Sequence, residues 1–508
     1  MLQSLSSVKP LKRAAGASAV LLGCLLSVSA HALQRPSALS VCDDVTDPLG
    51  LDPQSEFGEK THTLVQQIFD GLVRFDPNGR IEPALATSWR RIDDKTMEFK
   101  LREGVVFHNG ETFDAEAVKF TIERYLDPKT RFPAAGFLNS IDQVLVVDPR
   151  TVRITTKFPD GILLNRLAGF VLISPPRYLA SHDAEFVAAH PVGTGAYRFI
   201  QWDKGTRIVL EANPDYWRKG YPKVKTLIFR FVPANDQVGL LLKGDLDVVT
   251  ELPGTDTLRV MKSGRANVVK QESLYTAGAS INISTGPLAD RRVRQAINYA
   301  IDKAALIRYD LLGNGTPLAT LTMPGEIGHN PDLRPYPYDP DRARRLLREA
   351  GYPKGLKLEV VVKAQGERTM KILSDQLKKV GILLDVHPTT DAAAINDIQG
   401  RQWDLTFGNV SDPMVHSFFV QSILLSSLSP FSIMRDPHYD ELMGRMVTSL
   451  DLDEQQKRGM ELDQYVYDQA LSVFTYKRIR TYGVRKGIQF TPSVTGMPYF
   501  DRADISVE

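Results

Sequence analysis

What most constrains this chain is the way short runs of period-two hydrophobicity keep giving way to segments with helical spacing. "MEFKLREGVVF" (97–107) alternates like a half-buried strand. The "TFDAEAVKFTIERYL" behind it puts Asp114 at a capping position and brings Val118, Ile122 and Tyr125 onto one face. "RIVLEAN" and "TLIFRFV" read as strands separated by the turn-rich "PDYWRKGYPKVK". "DRRVRQAINYAIDKAALIRYDLLG" (290–313) reads as two abutting helices, with Asp290 and Asp302 as N-caps and Gly313 as a stop. "DPDRARRLLREAGYP" is a short helix closed by Gly351 and Pro353. Such alternation predicts an α/β protein rather than a bundle or a sandwich. A chain of 508 residues suggests roughly two to four domains. Neither a fixed-period repeat nor a low-complexity linker occurs, so crossing strands are expected to join them.

The start of the chain bounds its compartment. Lys9, Lys12 and Arg13 precede an apolar run, Ala14 to Val28, and then Ala30-His31-Ala32, a small-x-small site for cleavage before Leu33. That is the pattern of a secretory signal over residues 1–32, and the run is shorter than the ~20 residues a membrane span needs. Leu21-Leu22-Gly23-Cys24 also fits a lipoprotein box, with an anchor on Cys24; the apolar run that continues past the cysteine favours cleavage at Ala32 and a soluble periplasmic protein. Removing the three basic residues of this segment leaves 59 basic against 60 acidic. A balance so close to neutral argues against nucleic acid as a partner. Only Cys42 then remains, so no intrachain disulfide can form. In the apolar stretch "LSVC" that thiol reads as a buried strand residue.

Chemical motifs are few. "HPVGTGAYRF" (190–199) carries Gly193 and Gly195, but a phosphate cradle needs a helix after the loop, and "AYRFIQW" reads as a strand. "SHDAEF" (181–186) aligns Ser, His and Asp in sequence, which is a helix-start cluster and not a triad. HExxH, GxSxG, Walker-type and paired CxxC motifs do not occur. In "GNVSDPMVHSFF", Asp412 and His416 would share a helical face and could ligate a metal. Pro413 favours a different reading, in which Asp412 caps a helix with proline at its first position and His416 lies on the first turn.

Several stretches taken together resemble one family. "IFDGLVRFDPNGRIEPALATSW", "LREGVVFHNGETFDAEAVKFTIER", "HPVGTGAYRF", "NPDYWRKGYPK", "LLKGDLDVV", "RRVRQAINYAIDK", "YDPDRARRLLREAGYP" and "DPHYDELM", in that order, resemble the peptide/nickel class (family 5) of extracytoplasmic solute-binding proteins that serve ABC importers. The resemblance covers essentially the whole chain after residue 32. It implies a bilobal periplasmic-binding-protein-like α/β fold with two crossing hinge segments and an extra inserted domain. Lobe I would comprise residues 33–56, 190–274 and 477–508, inserted domain II residues 57–189, and lobe III residues 275–476. The function implied is capture of a ligand between two lobes and its delivery to a membrane permease. Neither catalysis, nor a cofactor, nor a resident metal is expected, and the protein should be a monomer. A secreted hydrolase is the alternative from another class.

The same resemblance supplies site expectations. Phe57 and Glu59 follow "LDPQ", where peptide-binding relatives touch ligand; Tyr275 and Tyr476 stand at the two crossings; Trp403, Phe407 and Asn409 would form the opposing wall. In peptide binders an aspartate three residues before Asp-Pro captures the peptide's amine, and counting back from Asp412-Pro413 gives Asn409. An amide brings no counter-charge, and hydrogen bonds with a charged group are worth about 1.5–3 kcal/mol against about 0.5–1.5 for neutral ones. Ordinary peptide capture is thus put in doubt. Nickel-chelate binders are the alternative template: Phe407 matches their aromatic residue, but Ser411 stands where they carry tyrosine.

Overall fold

The computed structural model describes residues 38–43, 46–390 and 393–506. Residues 1–32, read above as a secretory signal, and Cys24 within them lie outside the described residues. The α/β expectation holds where capping and spacing carried it. Asp114 accepts a hydrogen bond from Ala117 N at the start of helix Ala115–Leu126, and Val118, Ile122 and Tyr125 are buried along its inner face. Asp290 and Asp302 cap helices Arg291–Ala300 and Lys303–Asp310, and Asp339 caps Pro340–Glu349. Asp183 caps Ala184–Ala189, so "SHDAEF" is a helix start. Gly193 and Gly195 form a turn into strand Tyr197–Asp203, pressed so closely on the Ile68 carbonyl that a Cβ at either would collide with backbone. No helix among the described residues is long and apolar enough to cross a membrane.

The dominant element is an 11-stranded mixed sheet. From one edge its order is Ile382–Thr389, Leu356–Lys363, Leu405–Ser411, Ala266–Ile281, Tyr476–Arg485, Val248–Val249, Ala38–Cys42, Thr226–Arg230, Arg207–Ala212 and Tyr197–Asp203, with Gly315–Pro317 paired to Tyr476–Arg485 off this path. The two central strands, Ala266–Ile281 and Tyr476–Arg485, are antiparallel and paired from Ala266↔Arg485 to Thr276↔Lys477, with the register slipping between Glu272 and Thr276. Such a slip bends and twists the pair locally. On one side of them lie strands from residues 38–249, on the other strands from residues 356–411.

A separate four-stranded antiparallel sheet is built from Ala86–Arg91, Thr96–Leu101, Thr151–Thr156 and Ile141–Asp148. This unit leans directly on the 275–476 part of the chain. Asn165 Nδ2 donates to the Met414 carbonyl (2.8 Å) and Gly161 N to the Val447 carbonyl (2.8 Å). The Phe137 and Phe419 rings lie 4.7 Å apart, and Phe170 stands 5.9 Å from Phe419. One continuous apolar core results, spanning both parts. A second core sits under strands Ala38–Cys42, Arg207–Ala212 and Thr226–Arg230.

One local expectation is corrected. Asp412 does not begin a helix: helix Phe418–Leu425 starts six residues later. The Asp412 carboxylate instead accepts from Met414 N and His416 N (both 2.7 Å), holding a tight turn in which Val415 has φ +54°. The capping chemistry was read correctly, but a β-branched residue in the left-handed region is incompatible with a helical first turn.

Candidate functional site

Helix Glu59–Val65 lies across the junction of the two central strands and presents Glu59, His62 and Gln66 along one side, at i, i+3 and i+7. Opposite it runs the end of strand Leu405–Ser411, whose alternation puts Asn409 and Ser411 on a common face. Ser411 Oγ donates to Glu59 Oε2, which ties the helix to the strand. Tyr275 pairs in register with Ser411 and Ala277 with Asn409. On its other side the strand's partner, Leu356–Lys363, has its last pairing at Val362↔Phe407, so Gly408–Ser411 are laddered to Ala266–Ile281 alone.

Beneath this seam lies a compact ion network. Glu59 pairs with Arg480; Arg480 also reaches Glu251 (3.4 Å) and donates to the Gly496 carbonyl (3.0 Å); Glu251 pairs with Arg478 and Lys60 (3.5 Å); and Lys60 reaches Asp43 (3.4 Å). Three carboxylates meet three cations. Burial pushes the Glu59 and Glu251 carboxyls up, but Arg480 and Lys60 outweigh it and hold both below the usual range. Burial also raises Asp43, and there Lys60 and Thr250 only partly offset it. Arg478 stacks over the Tyr275 ring (5.2 Å), and burial pushes that phenol up to about 12.

The structure brings Glu59, Tyr275 and Asn409 together at this seam. Phe57 stands beside it, its ring 4.9 Å from Phe170 and 5.5 Å from His62. Phe407 is a core residue packed against Gly366. Tyr476 is fully enclosed, donating to Asp310 (2.7 Å) and sharing a hydrogen bond with Thr369. Trp403 packs with Val361, Ala394 and Ile398, and alternation places Val361 on the face opposite Val360, Val362 and Phe407. Its indole donates to the Asp397 carbonyl (2.8 Å), and it borders a separate surface cavity of about 380 Å³.

Asn409 is the least satisfied of the group. Its Nδ2 donates to the Gln365 carbonyl (2.9 Å), which fixes the orientation of the amide, and its Oδ1 is buried without a partner. His416 is fully buried; its Nδ1 accepts from Phe418 N (3.0 Å) and its Nε2 lies 3.4 Å from Gln455, so both ring nitrogens are engaged within the protein. Among the described residues one trio could approach a metal, Glu359, Asp385 and His387, on the two outermost strands, where Lys357 and Arg401 already neutralise the carboxylates.

Sequence reasoning missed Glu251, Arg478, Arg480, Ser411 as a tie, and His62. The i+3 spacing of His62 from Glu59 and the two-residue spacing of Arg478 and Arg480 from Tyr476 were the available signals. Nothing local marks Glu251, which reaches the site through the order of the sheet.

Comparison with known proteins adds context. The family model for the bacterial extracellular solute-binding proteins, family 5, matches residues 80–428. The glutathione-binding protein GsiB of Pectobacterium atrosepticum is 33% identical over 358 residues, 69% of each chain. The periplasmic binding protein AgaA of A. tumefaciens R10, solved with agropinic acid, superposes with TM-score 0.80 at 25% identity over 93% of this chain and 99% of that one. DppA of Helicobacter pylori, solved with the peptide STSA, gives TM-score 0.81 at 22% identity over 92% and 98%.

Proposed function

This chain belongs to the bacterial extracellular solute-binding proteins of family 5, and from that premise we propose that its ligand is peptide-like and lies along the seam between Asn409 and helix Glu59–Val65. It is a solute-binding protein that hands a small ligand to an ABC importer. The relatives bind glutathione, an opine acid or a short peptide by their names, and all three offer amide or amine donors and carboxylates on an extended frame.

The observation that carries the reading is the orphaned Asn409 Oδ1 beside a strand end that is laddered on one side only. A buried acceptor left unpaired costs about 1–3 kcal/mol. A ligand N–H delivered there removes that cost, and an extended, peptide-like frame is a shape that can bring an N–H to a buried acceptor at a strand end. The acceptor is neutral, so the donor it favours is an amide or a shielded amine rather than a bare ammonium. Closure follows from the same contacts: a ligand touching both sides stabilises the closed arrangement by its differential affinity, with no covalent step. The lobe boundaries given above, a monomeric state, export through residues 1–32 and a soluble rather than Cys24-anchored product belong to this proposal.

Native mass spectrometry of protein purified without denaturation, followed by calorimetry with tripeptides and their N-acetylated forms, tests it. A peptide-like cargo recovered intact is expected, with acetylated forms binding at least as well as free ones. Conversion of the cargo into products would instead favour the secreted hydrolase, and a strict requirement for the free amine would sink the role given to Asn409.

A further inference from the structure

One helical turn beyond Glu59 lies a small, partly open cavity of about 20 Å³, bordered by His62 and Gln66, by Pro413, and by Ser493, Thr495 and Tyr499. That is room for one or two waters or one small functional group. Its walls come from three separate parts of the chain that pack closely: a Cβ on Gly169 would sit 2.9 Å from the Pro413 carbonyl, so only glycine lets the 57–189 segment approach so near. His62 is 8% exposed. Its ring packs on Phe57, and neither ring nitrogen has a hydrogen-bond partner among the described residues. Burial, with no nearby carboxylate to oppose it, lowers the imidazole to about 4, so it is neutral at physiological pH.

The rest of the lining is also uncharged. Gln66 spends its Nε2 on the Met497 and Pro498 carbonyls (3.0 and 3.1 Å), and Ser493 and Thr495 hydroxyls satisfy each other at 2.9 Å. The cations beside it are already paired: Arg74, behind the Tyr499 ring at 4.7 Å, with Glu82 and Asp501, and Arg480, against Gly496, with Glu59 and Glu251. A charged group entering here would lose its water and meet no counter-charge, which is strongly unfavourable. An apolar group would leave the imidazole nitrogens unpaired. What the cavity suits is a small uncharged group that both donates and accepts.

We infer that His62 is a specificity-determining residue, and that it and the hydroxyl-lined wall opposite form a subsite for one hydroxyl or carboxamide group of the ligand. The inference rests on the reading of the seam as the place of a peptide-like ligand. Neutral imidazole supplies one donor and one acceptor, and the pocket admits such a group only when the two sides close over it, so recognition and closure are coupled.

The experiment is calorimetry on the full-length processed protein with tripeptides in an alanine background, carrying Thr, Val, Asn, Leu or Asp at each position in turn. At one position Thr should bind about tenfold more tightly than Val, and Asn about tenfold more tightly than Leu or Asp. His62→Phe keeps the ring volume against Phe57 and removes the nitrogens; it should collapse the preference to within about twofold. His62→Asn, which retains a donor and an acceptor, should keep part of the preference, and it carries the test if the phenylalanine variant does not fold. A preference for Leu or Asp, or one that survives both substitutions, overturns the subsite while leaving the ligand reading intact. Failure of the wild-type protein to bind any tripeptide overturns the peptide-like reading, and the subsite's assignment with it.

Discussion

One turn of a single helix separates two polar environments with opposite character. At Glu59 opposite charges alternate: Arg480, Glu251, Arg478, Lys60 and Asp43 form a chain whose attractions outweigh burial for the two glutamates, although Asp43 Oδ2 and Arg480 Nε stay buried without a hydrogen-bond partner. At Asn409 the neutral Oδ1 is buried without a partner, and His62, 8% exposed, makes no side-chain hydrogen bond among the described residues. The paired region looks more like an active centre at first sight, because it concentrates charge. Yet its cations and carboxylates are spent on one another, whereas the neutral acceptor of Asn409 has no partner to give up before it takes a ligand donor. On the proposed reading, paired charge belongs to the joint of this molecule and the unpaired Asn409 acceptor to the place for cargo.

The sharpest way to break this contrast is Arg480→Met. Arg480 is 1% exposed and answers both Glu59 and Glu251. Removing it leaves two carboxylates in a buried site with Lys60 and Arg478 only, and about 3–5 kcal/mol of stability should be lost in urea titrations. If the same change altered ligand preference without lowering stability, the network would belong to the binding site after all.

A second test uses a polar pair of intermediate type. Glu326 and Asp412 are buried together; Glu326 Oε2 accepts from Met323 N (2.7 Å), while Oε1 faces Asp412 with no donor of its own. Burial pushes both carboxyls up, and for Glu326 the neighbouring Asp412 charge adds to it, so the pair keeps a proton that each would release near pH 4 when unfolded. The folded state binds more protons than the unfolded one across this window. Its advantage is complete below about pH 4 and drains away as pH rises through the elevated folded values, about 7 for Asp412. Glu326→Gln replaces the shared proton with a permanent donor. Denaturant midpoints across pH 4–9 should show a flatter profile, and the variant should exceed the wild type by about 1–2 kcal/mol at pH 8. Parallel profiles would show that the two carboxyls do not share a proton.

How much of this was legible beforehand follows the range of each interaction. Caps at Asp114, Asp183, Asp290, Asp302 and Asp339 are local, and residue type with spacing was enough to place them. Glu59, Tyr275 and Asn409 were proposed through the resemblance of their surroundings; Glu59 and Tyr275 both adjoin Ser411, and Asn409 lies two residues along the same strand face. Trp403 and Phe407 could not be sorted by the same means. Aromatic residues serve cores and pockets alike, and only the alternation along Leu405–Ser411 and the positions of Val361 and Gly366 decide which face each joins. Arg480 and Glu251 are invisible to sequence reasoning for a different reason: 229 positions apart, they meet only because the sheet seats Val248–Val249 next to Tyr476–Arg485.

The smallest expected effect is also the most discriminating. Asn409→Leu removes the orphaned Oδ1 together with the Nδ2 bond to the Gln365 carbonyl (2.9 Å). The lost bond costs about 0.5–1.5 kcal/mol, and deleting a buried unpaired acceptor returns about 1–3 kcal/mol. The ligand-free protein should consequently gain about 1 kcal/mol, the difference between the middles of those two ranges, while its affinity for the cargo falls about tenfold. Stability and affinity moving in opposite directions at one residue is the signature of a group held unsatisfied for a ligand. Were both to fall together, Asn409 would be one more structural polar residue, and the distinction between the joint and the seam would dissolve.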